Sequence, residues 1–156
     1  MNIIKLISTT LFIFYFCLSG VGQFSGKKLK DKANLYFKND KFFEALQLYK
    51  KYDKIKTKDE EVKFRLGICY FFNNEMDRSI DYLSALVYNK KKPKALAYFY
   101  LGCAYHSKKE FKKAIKNYKL YLKNSSSNDS NRLAIKDEIK RCAQGLKIKY
   151  QKELAV

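Results

Sequence analysis

A chain of 156 residues, 47% hydrophobic and 16% aromatic, has the material for one domain with a continuous core, which excludes disorder over most of its length. Its 33 Lys and Arg against 15 Asp and Glu leave a formal net charge of +18, yet the lysines are spread along the chain, as on solvated helix faces, rather than gathered into one phosphate-binding run. Four cysteines and one histidine form no CxxC pair and no Cys/His pair at ligand spacing, so neither a zinc site nor any cofactor is implied.

Residues 1–22 stand apart. Met1 to Lys5 carries one positive charge, Leu6 to Leu18 is an almost unbroken apolar run, and Ser19-Gly20-Val21-Gly22 is small. This predicts a secretory signal peptide cut after Gly22, because the apolar run is shorter than the roughly 20 residues a membrane-spanning helix needs. Bulky Tyr15 and Phe16 before Cys17 do not fit a lipidation site. An exported chain is expected, and its remaining Cys69, Cys103 and Cys142 read as buried thiols.

Beyond the leader, one pattern recurs three times. Ala33-Asn34-Leu35-Tyr36, Gly67-Ile68-Cys69-Tyr70 and Gly102-Cys103-Ala104-Tyr105 each start on a small residue with Tyr three places on, and a second small residue follows at Ala45, Ser79 and Ala114. Such a period fits a pair of antiparallel helices per repeat. In chain order, the spacing predicts helices over 28–39 and 41–54, with Asp40 capping the second and Ala45, Leu48, Tyr49 and Tyr52 forming its apolar stripe. Thr57-Lys58-Asp59-Glu60 reads as a capping box at the start of the next helix, which runs through Leu66, Gly67 and Tyr70 to a turn at Asn73-Asn74. Its partner carries Ile80, Leu83 and Leu86, and Pro93 is expected in the first turn of the third pair. That pair holds Leu101-Gly102 and Tyr105, then Phe111, Ala114, Ile115, Tyr118 and Tyr121. A polar loop at 125–131 precedes a final helix over 133–151, whose stripe of Ile135, Ile139, Cys142, Ala143, Leu146 and Tyr150 is expected to cover the last exposed face.

Leu66-Gly67, Tyr70, Ser79 and Leu83, together with Leu101-Gly102, Tyr105, Ala114 and Tyr118, resemble the motif of the tetratricopeptide repeat (TPR) family. The first repeat has Ala33 and Lys32 where the family has Gly and Leu, with Tyr36, Ala45 and Tyr49 in place. The resemblance implies an all-α, right-handed superhelical array of three repeats (26–59, 60–94 and 95–127), closed by a polar loop and capping helix in 128–156. It implies protein recognition rather than chemistry. The lysine-rich repeats and the segment from Glu138 to Leu146 also resemble the N-terminal TPR modules of exported Bacteroidetes envelope proteins, which implies the periplasm or cell envelope of a Gram-negative bacterium.

In that family the ligand lies in a concave groove. The corresponding positions are Lys30, Asn34 and Phe37 in the first repeat, Phe64, Ile68, Phe71 and Phe72 in the second, and Phe99, Cys103 and His106 in the third. This groove would be basic at one end and aromatic in the middle, suited to a peptide with an acidic end and apolar anchors. Lys30 and Asn34 match the first two residues of the family's carboxylate clamp, whereas Arg65, Leu96 and Tyr100 do not match the other three. No nucleophile elbow or phosphate-binding Gly-rich loop occurs, and His106 reads as a cation near a helix C-terminus, so no enzymatic activity is expected. Two classes of function remain: an exported adaptor or scaffold binding a protein or peptide in its groove, or a Lys-rich protein associating with anionic lipid, glycan or nucleic acid. Neither a small-molecule substrate nor a dedicated nucleic-acid surface is implied.

Overall fold

The turn inside each helix pair is built the same way three times. Asp40, Asn74 and Lys109 take φ of 57°, 60° and 59°. Each is the left-handed residue that ends a helix, with the next N–H donating five residues back: Lys41 to Tyr36, Glu75 to Tyr70 and Glu110 to Tyr105, at 2.9–3.0 Å. This double closure satisfies carbonyls that a helix end would otherwise leave without partners. It also explains why Asp40 does not cap the following helix. That helix has Lys41 at its N-cap and no side-chain cap bond, because Asp40 is used to close the helix before it.

The computed structural model describes residues 26–56, 58–88 and 93–155. The expected leader and Thr57 of the expected capping box lie outside the described residues. Every regular element among them is a helix: α1 (26–38), α2 (Phe42–Ile55), α3 (Glu60–Phe72), α4 (Met76–Tyr88), α5 (Ala95–Ser107), α6 (Phe111–Asn124) and α7 (Arg132–Leu154). No described helix is long and apolar enough to cross a membrane. The chain divides into two compact units between Asp59 and Glu60.

In the first unit, α2 turns Ala45, Leu46, Tyr49 and Tyr52 inward. Leu46 takes the buried place expected for Leu48, which is half-buried. The Tyr49 hydroxyl donates to Asn34 Oδ1 at 2.7 Å, and the Phe37 ring stands edge-on to Phe42 and Tyr49 with centroids 5.5 and 6.3 Å away. Edge-to-face pairs of this kind add to simple area burial.

In the second unit, α3 packs on α4, α4 on α5, α5 on α6 and α6 on α7. The paired helices approach closely because Gly67 has no side chain: a Cβ there would lie 2.6 Å from Leu83 Cγ. Ser79, Leu83 and Val87 are the buried residues of α4, so Val87 takes the inward place expected for Leu86. Pro93 precedes α5, which starts at Ala95, and so lies outside its first turn. On α7, Ile135 and Cys142 are buried, whereas Ala143 and Tyr150 face solvent; the stripe is narrower than its six apolar residues suggest. Gly145 lets this helix meet the Phe111 ring, where a Cβ would stand 2.6 Å away.

Cys69, Cys103 and Cys142 are free thiols. Burial pushes Cys69 up to about 12 and the other two up to about 11, so none is a thiolate at neutral pH.

Candidate peptide-binding groove

Two pairs of consecutive aromatic residues, Phe71-Phe72 at the end of α3 and Phe99-Tyr100 in α5, meet between these helices. Phe71 and Phe72 stand edge-to-face at 5.3 Å, and both reach Tyr100 on α5, at 5.7 and 6.1 Å. Tyr100 meets Phe99 at 5.1 Å, and Phe99 meets Tyr121 on α6 at 5.7 Å. Five rings therefore run without a break from the end of α3 to α6. Phe72 is 49% exposed, as is a comparable share of Leu96, so the run presents apolar surface at its rim.

Past Phe99 the run opens into a cavity of about 850 Å³. Its walls include Phe99, Cys103 and His106 of α5, Lys109 just before α6, Phe111 at its start, and Glu138 of α7. Polar groups cluster at one side, where His106 Nδ1 lies 3.3 Å from Glu138 Oε2 and the imidazole stands edge-on to Phe111. The Tyr118 hydroxyl donates to Cys103 Sγ at 3.6 Å. With the thiol pushed up to about 11, chiefly by burial, this group tethers α5 and α6 and offers no activated nucleophile.

Comparison with known proteins gives this arrangement a family context. The described fold is similar to yeast Tom70, with a TM-score of 0.68 over 85% of this chain and 26% of that one, at 20% identity. It is also similar to the first TPR of Spaghetti (RPAP3) bound to the HSP90 peptide SRMEEVD, with a TM-score of 0.65 over 78% of this chain and 92% of that one, at 22% identity. The fold is that of the TPR family. Among curated proteins, bovine BBSome complex member BBS4 is 33% identical over 101 residues, which is 64% of this chain; the chain spans 19% of that protein's length. No protein-family model matches the chain.

In the TPR frame α1, α3 and α5 are the first helices of their repeats, and the ten positions carried over from the family fall out unequally. Phe71, Phe72 and Phe99 belong to the ring run, and Phe99, Cys103 and His106 line the cavity. Phe64 and Ile68 are 8% and 3% exposed, so they support the groove from below rather than line it. A cation covers Phe64, the Lys94 ammonium standing 4.9 Å from its ring centroid. Lys94 also pairs with Glu61, as does Arg65 at 3.0 Å. Burial alone would raise the Glu61 carboxyl; those two cations overcome it and hold the group below the usual carboxylate range.

Lys30, Asn34 and Phe37 lie in the first unit, and the two clamp matches are occupied there. Lys30 Nζ is 2.6 Å from Asp59 Oδ2 and stands over the Tyr52 ring, while Asn34 accepts from Tyr49. A carboxylate ligand would have to displace both bonds. Sequence reasoning missed Tyr100, Tyr121, Ile135 and Glu138 as parts of the site. Tyr100 registered only as a departure from the clamp, although its neighbour Phe99 and the adjacent Phe71-Phe72 pair were the signal for a shared aromatic face.

Proposed function

We propose that this TPR chain is an interaction module that holds a segment of another protein along the ring run of α3 and α5, with one apolar side chain anchored in the cavity between α5 and α7. The observation that carries this reading is the unbroken sequence from half-exposed Phe72 through Tyr100 and Phe99 into that cavity. Rigid aromatic surface gives large contact area at low entropic cost, which is why such residues dominate binding hot spots. The RPAP3 structure, in which a TPR holds a peptide, supports the mode of binding. The acidic tail of that peptide does not transfer, because Lys30 and Asn34 are already paired. Apolar anchors suit the ring run and its half-exposed Phe72 and Leu96 better, with Lys109 at the cavity wall able to meet one acidic residue.

The same proposal places the module outside the cytoplasm, as an adaptor or scaffold in the periplasm or cell envelope of a Gram-negative bacterium. Its support is the charged, apolar and small-residue succession in residues 1–22. Expression in a Gram-negative host with N-terminal sequencing tests it: a periplasmic chain beginning at Gln23 is expected, and a cytoplasmic chain retaining Met1 contradicts export.

Selection from a displayed peptide library tests the binding mode. Enriched peptides should share two apolar residues and keep their affinity as salt is raised, and Phe72→Ala with Tyr100→Ala should weaken them at least tenfold. Binding that disappears with salt and ignores the double variant would favour the Lys-rich surface instead.

A further inference from the structure

A second cleft, of about 330 Å³, lies between the first turn of α6 and the C-terminal half of α7, away from the ring run. Lys109, Lys112, Lys113 and Lys149 all line it, against Glu110 and Glu153, a surplus of two positive charges in one small space. The pairing is incomplete. Lys113 meets Glu110 at 2.6 Å and Lys149 meets Glu153 at 3.9 Å, whereas Lys109 and Lys112 form no ion pair among the described residues. Lys112 instead donates a hydrogen bond to the Tyr150 hydroxyl, which together with the field of Glu153 raises its pKa, and stands 5.2 Å from the centroid of that ring, 46% exposed and shared by the cleft.

This crowding is not what lysines merely filling solvated faces would produce. The first turns of α2, α3 and α4 carry Glu44, Glu60 with Glu61, and Asp77; those of α5, α6 and α7 carry no acid, and α6 adds two lysines in the turn that follows Glu110 at its N-cap. Cations there oppose the helix dipole as well as one another. Lys109 also holds the left-handed position that Asp40 and Asn74 hold in the other repeats, a conformation that suits Asp and Asn better than Lys. The cleft is held in shape by Gly145, which lets Phe111 seat against α7 and sets α6's lysines opposite Lys149.

We propose that this cleft is an anion-binding site that takes a phosphoryl group, its charge answering Lys109 and Lys112 and the Tyr150 hydroxyl supplying a further donor. Lysine binds phosphate as a mobile point charge, and no arginine lines the cleft to favour a flat bidentate carboxylate. The phosphoryl group belongs either to a soluble phosphorylated molecule or to a phospholipid headgroup. The cleft holds no ring of the aromatic run, although Lys109 and Phe111 also line the cavity at the end of that run; Lys112 lines the cleft alone.

Calorimetric titration of the full chain with inorganic pyrophosphate, in parallel with flotation on vesicles containing phosphatidic acid, tests this. Saturable one-to-one binding of pyrophosphate, reduced at least tenfold at low salt by Lys109→Ala with Lys112→Ala, is the expected result and points to a soluble ligand. Vesicle binding lost in the same double variant, without pyrophosphate binding, supports the site with a headgroup as its occupant. Lys123→Ala with Lys136→Ala removes equal charge elsewhere and should leave either signal unchanged. If both double variants weaken binding equally, or nothing binds saturably in either arm, the proposal is overturned. Circular dichroism of both variants checks that each stays folded.

Discussion

Gly102 and Tyr118 face each other across α5 and α6 so closely that a Cβ on the glycine would stand 2.5 Å from two atoms of the tyrosine ring. The ring is 1% exposed and has nowhere to retreat. Gly102→Ala gains about 1 kcal/mol of helix propensity but overpacks the contact by about 1–3 kcal/mol. A net loss of up to about 2 kcal/mol is expected, read as a lower urea midpoint at unchanged slope.

Ser79 occupies the second small position, where the other repeats have Ala45 and Ala114. All three are fully buried, and the Ser79 hydroxyl has no hydrogen-bond partner among the described residues. Ser79→Ala removes a buried group left without a bond and should stabilise the protein by about 1 kcal/mol. An unchanged or lowered melting temperature would show that the hydroxyl is satisfied in solution.

The three thiols make stability fall at alkaline pH, and the raised pKa values of Tyr52, Tyr118 and Tyr121 act in the same direction above pH 10. The ordinary thiol value is 9.0, and burial raises Cys69 to about 12 and Cys103 and Cys142 to about 11. Above pH 9 the unfolded chain loses these protons while the folded chain retains them. Their contribution is therefore complete below pH 9 and declines as pH rises towards 11–12. Urea midpoints should fall over that range, and the fall should be shallower for Cys69→Ala, compared with its own midpoint at pH 7.

Helix α7 covers part of α6 and walls the cavity: Ile135 and Cys142 join the buried cluster of Ala114, Tyr118 and Tyr121. A chain ending at Ser127 exposes that cluster and should aggregate. A soluble truncation with undiminished helicity per residue would contradict the role assigned to α7.

Helix pairs were legible in the sequence because the small positions and their partners, such as Gly67 with Leu83, lie on neighbouring helices of one repeat and recur with the period. Inward-facing residues were less so. Leu46 and Val87 lie two and one residues from Leu48 and Leu86, the residues expected to be buried, since a small rotation of a helix leaves a short apolar pattern almost unchanged. The role of Asp40 was missed because Asp serves both as an N-cap and as a left-handed residue, and only the backbone distinguishes them. The site suffered most. His106 with Glu138 and Lys30 with Asp59 join residues far apart in sequence, and no local period announces such pairs. Reading family positions onto Lys30 and Asn34 gave no sign that their polar groups were already engaged, by Asp59 and Tyr49.

The central claim is that a partner protein lies along the ring run from Phe72 to Tyr100. A photo-crosslinking amino acid placed at Leu96, on the exposed rim of that run, and irradiated in living cells tests it directly. One discrete adduct is predicted at this position, lost when Phe72→Ala and Tyr100→Ala are added, with none from the same probe at exposed Lys123. Equal adducts from both positions, or an adduct indifferent to the ring variants, would contradict the groove as the binding site.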